Sequence, residues 1–109
     1  MKIYIVVKLQ FEAIHHWPEC DIDFVKFLRY PHRHIFYVVI KKRVYHDNRQ
    51  IEFIDFKNKV DGFIQKNWNK KTLPGMSCEM MAEKLMITFK ADFVSVFEDN
   101  ENGAEVISE

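Results

Sequence analysis

Apolar and polar residues alternate along the first part of the chain. The apolar set from position 2 to 15 consists of Ile3, Ile5, Val7, Leu9, Phe11 and Ala13. A period of two is typical of a strand with one buried face, so the pattern predicts a long half-buried strand over residues 2–15. His15 falls in phase with the apolar face of that strand.

The next segments are predicted from breaks and returns of this pattern. Residues 17–31 contain two prolines, an acidic cluster and apolar residues at helical spacing, which indicates a loop with a short helix. Residues 32–45 alternate again and predict a second strand. HDNRQ at 46–50 is typical of a hairpin turn, and IEFIDF at 51–56 then predicts the returning strand.

Two helices are predicted in the second half of the chain. Asp55 is a candidate N-cap for the first, because its carboxylate can accept from free backbone N–H groups. The apolar stripe of this helix is Phe56, Val60, Phe63, Ile64 and Trp68. Ser77 is the candidate cap of the second helix. The predicted buried face of the second helix is Met80, Met81, Leu85, Met86 and Phe89.

A last main strand is predicted over residues 93–98, with a short edge strand at 104–107 after a turn at Asn102-Gly103. The order β-β-β-α-α-β predicts an α+β fold in which an antiparallel four-stranded sheet carries two helices on one face. Residues 1–109 are expected to form a single domain, because two halves of a 109-residue chain would each be too small to bury a core.

Composition and charge exclude several classes of protein. Sixteen basic residues balance sixteen acidic ones, which argues against a nucleic-acid binder. No apolar run approaches the length that spans a membrane. Cys20 and Cys78 form no CxxC motif, and no signal peptide is apparent. We therefore expect two free, reduced thiols and a cytoplasmic location.

The chain is rich in histidine, with five in total. His32 and His34 lie at i and i+2 of a predicted strand, which places both imidazoles on one face. If the first two strands form a hairpin, His15 meets them at the same end of the sheet. Three neutral imidazoles can hold Zn²⁺ and leave one tetrahedral position open, as in catalytic zinc sites. The alternative is that these histidines are surface polar residues without a metal.

Three further side chains carry candidate chemistry. Glu98 is in phase with Val94 and Val96, so it either emerges into solvent at the strand end or accepts paired N–H donors from a pterin-like or guanine-like ring. Cys20 is a candidate nucleophile or proton donor, or an inert loop thiol. Cys78, in the first turn of a helix, has either a pKa lowered by the helix dipole or the role of a small buried hydrophobe.

Several motifs, taken in order, resemble those of the 6-pyruvoyl-tetrahydropterin and 6-carboxytetrahydropterin synthase family, whose members adopt the T-fold (tunnelling fold). The resemblance runs over about positions 3 to 106. It rests on FEAIH (11–15), HRH (32–34), IEFIDF (51–56), SCEMMA (77–82) and VFE (96–98).

The resemblance implies specific roles for five of these residues. His15, His32 and His34 are implied as zinc ligands, and Glu98 as the anchor of a pterin ring with help from Ser77. The family acts on 7,8-dihydroneopterin triphosphate, with zinc polarising side-chain oxygens while a cysteine and an Asp–His pair move protons. It also implies a homo-oligomer, a trimer or hexamer whose sheets join into a barrel.

The chain departs from the family at the proton-transfer positions. Leu28 lies where the family has its cysteine, four residues before the histidine pair, and Cys20 is eight residues earlier in the same loop. Residues 61–71 contain no histidine, and Arg33 replaces the glycine between the paired histidines. The loss of each such acid–base group lowers the catalytic rate by about 10²- to 10⁴-fold.

The sequence supports three hypotheses about function. The first is a zinc-dependent lyase of the tetrahydropterin synthase type, with queuosine or another deazapurine pathway as its expected context and Cys20 as the candidate for proton transfer. The second is a catalytically inactive T-fold protein, of a kind also encoded by phages, that binds a pterin-like or purine-like ligand or a protein partner. The third is a purely structural oligomer, which would need neither the histidines nor Glu98.

Overall fold

Five strands and two α-helices make up the chain, and the computed structural model describes all 109 residues. In chain order the elements are β1 (Ile3–His16), a 3-10 helix (Asp23–Arg29), β2 (His32–Val44), α1 (Phe53–Asn67), β3 (Thr72–Pro74), α2 (Cys78–Phe89), β4 (Phe93–Glu98) and β5 (Asn102–Ile107). The predicted α+β class is therefore confirmed. None of the helices has the length and apolar character that crossing a bilayer requires.

The hairpin of β1 and β2 is the longest pairing in the sheet. It is antiparallel and continuous, from Ile3 opposite Val44 to His15 opposite His32. Because side chains alternate across a strand, this register places the odd positions of β1 and the even positions of β2 on the same face. Val7, Leu9 and Phe11 are accordingly buried on that face, as their alternation predicts.

The remaining strands extend this hairpin on both sides, in the order β3-β1-β2-β4-β5. β4 pairs antiparallel with β2 and β5 with β4, whereas the three-residue β3 runs parallel to the end of β1. Both helices pack against one face of the sheet, where Val60 of α1 and Leu85 of α2 are fully buried in one apolar cluster with the strand residues. The predicted placement of two helices on one face is confirmed.

The sheet has five strands rather than the predicted four, because residues 51–56 do not form a strand whereas β3 and β5 both join the sheet. α1 already begins at Phe53, and its N-cap is Glu52 rather than Asp55: the Glu52 carboxylate accepts from the backbone N–H groups of Ile54 and Asp55 at 3.0 Å. Phe56 then lies on the same helix face as Val60, and both are buried. Burial of that face outweighs the strand-like alternation of a short segment.

Two smaller predictions also need correction. In α2, Ser77 is the N-cap as predicted, with its hydroxyl accepting from the Met80 N–H at 3.1 Å, but Met80 itself is 53% exposed, and Cys78 and Ala82 are buried. The turn between β4 and β5 lies at Asp99 and Asn100, which both have positive φ, and Asn102 already belongs to β5. The short edge strand predicted at 104–107 is thus confirmed, and it begins two residues earlier, at Asn102.

Two glycines provide a matched test of this packing. A Cβ added at Gly103 in β5 would meet the Val96 carbonyl oxygen and would lie 2.6 Å from the Phe97 Cα, whereas one added at Gly62 in α1 has no neighbour within 4 Å. We expect Gly103→Ala to destabilise the protein by about 1–3 kcal/mol through overpacking. Gly62→Ala should stabilise it by about 0.5–1 kcal/mol, because alanine is the better helix former.

The measurement is the midpoint of denaturant unfolding for both variants beside the unmodified protein. A stabilising shift for Gly103→Ala would contradict the close packing of β5 on β4, and a destabilising shift for Gly62→Ala would contradict the open surface at that turn of α1.

Candidate metal centre

The β1–β2 register brings three histidines together at one end of the sheet. His15 lies directly opposite His32, and His34 is two residues further along β2 on the same face. The ring centroid of His15 lies 4.6 Å from that of His32 and 5.4 Å from that of His34. One ligand nitrogen from each ring lies within 4.8 Å of the others. The sequence-predicted cluster is therefore present as a geometric unit.

Each imidazole is oriented by an acceptor at its Nδ1. The acceptor of His15 is the Met76 carbonyl at 2.7 Å, and that of His32 is the Tyr30 carbonyl at 2.9 Å. A carbonyl oxygen can only accept, so Nδ1 of both rings donates and, in a neutral ring, Nε2 carries the lone pair.

His34 is oriented by a side chain rather than by the backbone. Its Nδ1 lies 2.6 Å from the Asp99 carboxylate, which also accepts from the Ile35 N–H at 3.0 Å. Hydrogen bonding from His34 and then from Ile35 lowers the pKa of Asp99, so this acceptor is a carboxylate at neutral pH. Metal-binding histidines commonly donate their second N–H in this way, to a carbonyl or to a carboxylate.

The Nε2 atoms of His15 and His32 are buried and have no hydrogen-bond partner. His15 as a whole is only 7% exposed. An unpaired buried polar atom is costly, and native proteins seldom leave one without a partner, an ordered water or an ion. Two such nitrogens beside a third imidazole fit a metal ion that takes imidazole ligands, of which zinc is one.

Glu98 lies against the histidine cluster and does not emerge freely into solvent. It ends β4 opposite Phe36, in phase with the buried Val94 and Val96, and its side chain is 30% exposed. Its Oε1 is 3.1 Å from His15 Nε2 and its Oε2 is 3.2 Å from His34 Nε2. His15 Nε2 and Glu98 Oε1 are close, but the pair does not form a hydrogen bond of acceptable geometry.

The charges of this group are mutually dependent. Burial lowers the pKa of His15, but the Glu98 carboxylate and the Met76 carbonyl outweigh burial, so the pKa is raised overall. Interaction with the adjacent His15 imidazole lowers the pKa of Glu98, burial opposes this, and the charge of His34 adds to the lowering. The site therefore favours a carboxylate at Glu98 and positive charge beside it.

A cavity of about 470 Å³ opens next to the histidines. His15, His32 and Glu98 contribute to one wall, and Ser77 and Cys78 at the start of α2 contribute to another. The volume lies in the range of small-molecule sites. His34 belongs to the cluster but not to the cavity wall.

The two cysteines have different positions relative to this cavity. Cys20 is fully buried within the 17–31 loop, where its Sγ donates to the Val25 carbonyl at 3.5 Å, and it does not line the cavity. Leu28 does line the cavity. Cys78 is 6% exposed and its Sγ is 3.9 Å from the Glu98 Oε1. Burial, and then the charges of Glu98 and Glu79, raise the pKa of Cys78 to about 12, opposite to the lowering that its helix position suggested.

Sequence reasoning missed the residues that orient the rings. Asp99 had a weak signal, since it is an acidic residue directly after Glu98 at a strand end. The carbonyls of Met76 and Tyr30 had none, because every residue has a carbonyl and only the fold selects these two. His16, the neighbouring histidine of β1, lies outside the three-histidine cluster, with its Nδ1 3.3 Å from the Arg29 carbonyl.

The fold has relatives among solved structures, although no protein-family model and no curated protein matches the sequence. An uncharacterised protein from Wolinella succinogenes superposes with a TM-score of 0.79 at 12% identity, covering 100% of this chain and 99% of that one. The 6-pyruvoyl tetrahydropterin synthase of Caenorhabditis elegans superposes with a TM-score of 0.81 at 12% identity, covering 100% and 97% respectively. Full coverage in both directions confirms the predicted fold: the chain has a divergent T-fold of the 6-pyruvoyl tetrahydropterin synthase kind.

The thiol environment generates a pH prediction. Because the pKa of Cys78 is raised to about 12, its reactive thiolate is a minor species at pH 7–9 in the metal-free protein. In a Cys20→Ala variant, which leaves Cys78 as the single thiol, we expect the iodoacetamide alkylation rate to rise throughout pH 7–10 without a plateau. The same variant unfolded in denaturant should show the ordinary thiol midpoint near pH 8.5. A plateau below pH 9 in the folded protein would contradict the raised pKa.

Proposed function

We propose that the protein is a zinc-dependent lyase of the 6-pyruvoyl/6-carboxytetrahydropterin synthase type, acting on a pterin substrate related to dihydroneopterin triphosphate. The observation that carries the proposal is the arrangement of His15, His32 and His34. Their Nδ1 atoms are engaged by acceptors, and one ligand nitrogen from each ring lies within 4.8 Å of the others, next to the cavity. The predicted queuosine or deazapurine pathway and the cytoplasmic location remain predictions.

The chain's own residues would prepare the centre before any metal arrives. The Met76 and Tyr30 carbonyls and the Asp99 carboxylate hold the rings in the tautomer that presents Nε2, and this removes a reorganisation step from metal binding. Bound zinc would supply Lewis-acid polarisation of substrate oxygens. Burial of His15 strengthens such polarisation, since a site with less water screens charge less.

The ring-binding part of the proposal concerns Glu98 and Ser77, which both line the cavity. A carboxylate can accept two parallel N–H bonds from the edge of a pterin or guanine ring. The lowered pKa of Glu98, caused first by His15, keeps it ionised for that role. Ser77 accepts from the Met80 N–H while capping α2, and its hydroxyl hydrogen is then free to donate toward the cavity.

One specific observation favours the second hypothesis, an inactive T-fold protein that binds a pterin-like or purine-like ligand or a protein partner. Leu28 lines the cavity at the position where the resemblance implies a cysteine, and Cys20 is buried away from the cavity. No histidine follows α1, and Asp61 on that helix instead accepts from Gln65 at 3.3 Å. Ligand binding would survive these differences, whereas proton transfer would need another group.

We also propose that the working unit is a homo-oligomer, a trimer or hexamer as the resemblance implies. β3 pairs only with residues 14–16 of β1, so the outer edge of β1 from Ile3 to Ala13 has no strand beside it, and β5 is the opposite edge of the sheet. A long open edge invites pairing with another strand. Head-to-tail pairing of these two edges around a ring would cover both.

The metal assignment predicts a stoichiometry. After removal of bound metal and reloading, purified protein should hold about one Zn²⁺ per subunit, and His32→Ala and His34→Ala should hold much less because each removes one of three ligands. His46→Ala is the matched control: this residue lies in the exposed 46–50 turn, outside the cluster, and its removal should leave the zinc content unchanged. Elemental analysis of the four proteins measures the outcome. Zinc far below one per subunit and equal in all four would refute the assignment.

The substrate assignment predicts binding through Glu98. Zinc-loaded protein incubated with 7,8-dihydroneopterin triphosphate should release triphosphate, and Glu98→Ala should weaken pterin binding by roughly 10- to 100-fold, since a hydrogen bond to a charged group is worth about 1.5–3 kcal/mol. Glu105→Ala, on the exposed face of β5, is the control and should bind normally. Fluorescence titration with the pterin and a triphosphate release assay give the two readouts.

The two readouts separate the hypotheses. Binding without turnover favours the inactive binding protein. Equal binding by Glu98→Ala and the unmodified protein removes the ring-anchor role.

A further inference from the structure

The cavity beside the histidine cluster has carboxylates in its wall but no lysine or arginine. Glu79 and Glu98 both line it, and none of the basic side chains of the protein does. Proteins hold phosphate groups chiefly with arginine, with lysine or with free backbone N–H groups. A cleft lined by one sign of charge also repels ligands of the same sign. The side chains of this cavity therefore oppose a ligand that carries a chain of phosphates.

Two arginines follow cavity residues directly in the chain, but both are engaged elsewhere. The Nε of Arg29 donates to the Cys20 carbonyl within the 17–31 loop. Arg33 alternates in β2 to the other face of the sheet, where its Nε donates to the Glu12 carboxylate at 2.7 Å. Neither arginine is therefore placed to bind a phosphate in the cavity.

The N-terminus of α2 also lines the cavity, and by itself it would favour an anion. One of its free N–H groups is already satisfied, because the Ser77 hydroxyl accepts from the Met80 N–H at 3.1 Å. The end of a helix is equivalent to about half a positive charge, whereas the carboxylate of Glu79 in the first turn carries a full negative charge. The balance at this end of the cavity is negative.

Cys78 lies in the field of both carboxylates. Its Sγ is 3.9 Å from the Glu98 Oε1. Burial, and then the charges of Glu98 and Glu79, raise the pKa of this thiol to about 12. Surroundings that disfavour a thiolate in the cavity wall disfavour a phosphate there for the same reason.

A bound metal would not reverse this balance. His15 and His32 bind a metal as neutral imidazoles, so the only charge added to the wall is that of the ion. One divalent ion offsets the two carboxylates of Glu79 and Glu98 and leaves no surplus of positive charge for several phosphates.

We propose that the cavity selects a pterin that carries no phosphate and has a short, uncharged side chain, for which Trp17 and Leu28 supply an apolar wall. The inference rests on the proposed pterin site and narrows its substrate. A triphosphate-bearing pterin would still bind through its ring, but more weakly. Release of triphosphate from 7,8-dihydroneopterin triphosphate would then require a high substrate concentration.

The test compares neopterin with neopterin triphosphate in fluorescence titrations of the full-length, zinc-loaded protein. Neopterin should bind at least about 10-fold more tightly, because placing like charges side by side is costly. Added salt should strengthen binding of the triphosphate, since it screens repulsion, and should leave neopterin binding unchanged. A basic phosphate site would show the opposite dependence on salt. The same order of affinities is expected for metal-free protein, so chelation of zinc by the phosphates cannot account for it.

A matched pair of variants locates the repulsion. Glu79→Gln should tighten the binding of neopterin triphosphate by about 3- to 10-fold, because it removes one negative charge from the cavity wall, and should leave neopterin binding unchanged. Glu83→Gln removes the same charge from an exposed position of α2 outside the cavity, and its effect on the triphosphate should be much smaller.

The outcomes separate this inference from the proposed function. Tighter binding of the triphosphate than of neopterin, or binding of the triphosphate that weakens with salt, overturns the selection against phosphate and leaves the pterin site intact. Equal effects of Glu79→Gln and Glu83→Gln on the triphosphate overturn it as well. Failure of both pterins to bind overturns the pterin site, and this inference with it.

Discussion

The continuous antiparallel pairing of β1 with β2 is the constraint on which the rest of the structure depends. One register both buries the apolar odd positions of β1 and places His15 opposite His32. A slip by one residue would turn the apolar side chains of one strand to solvent and separate the imidazoles at the same time. Core packing therefore stabilises the geometry of the candidate site, and the histidines need not hold each other in place.

In the candidate site, the acceptors at Nδ1 orient the imidazole rings and leave the Nε2 atoms available to bind a ligand. The sheet brings the rings together, but their orientation comes from elsewhere: the Tyr30 carbonyl before β2, the Met76 carbonyl before α2 and the Asp99 carboxylate after β4. Three separate chain segments thus converge on one cluster. A chain with no net charge places its candidate chemistry at this one end of the sheet, where the Glu98 carboxylate raises the pKa of His15.

The relation to the tetrahydropterin synthase fold lies in shape rather than in sequence. At 12% identity the fold superposes over the whole chain. Within the cavity, Leu28 of the 17–31 loop lines the wall, whereas Cys20 is buried away from it.

Periodicity alone predicted much of the architecture, and its failures have a common cause. The long alternations of β1 and β2 and the stripe Val60–Ile64 of α1 are sustained over enough residues to be unambiguous. Residues 51–56 are too few to distinguish a strand from a helix. Ile51 and Phe53 alternate with polar Glu52 as in a strand, while Phe56 already belongs to the apolar stripe of the helix. β3 was missed because three residues carry no period at all, and it forms only since β1 offers a free edge at Ile14 to His16.

What the sequence by itself determined is the set of groups that share a face. A period of two assigns His15, His32 and His34 to the apolar sides of their strands and Glu98 to the side of Val94 and Val96, because alternation is a local property of the backbone. Only the tertiary structure decided which nitrogen each ring presents, that Glu98 lies 3.1 Å from His15, and that Cys78 rather than Cys20 lines the cavity. Those facts depend on acceptors from distant segments and on burial, and both arise when the helices and loops close over the sheet.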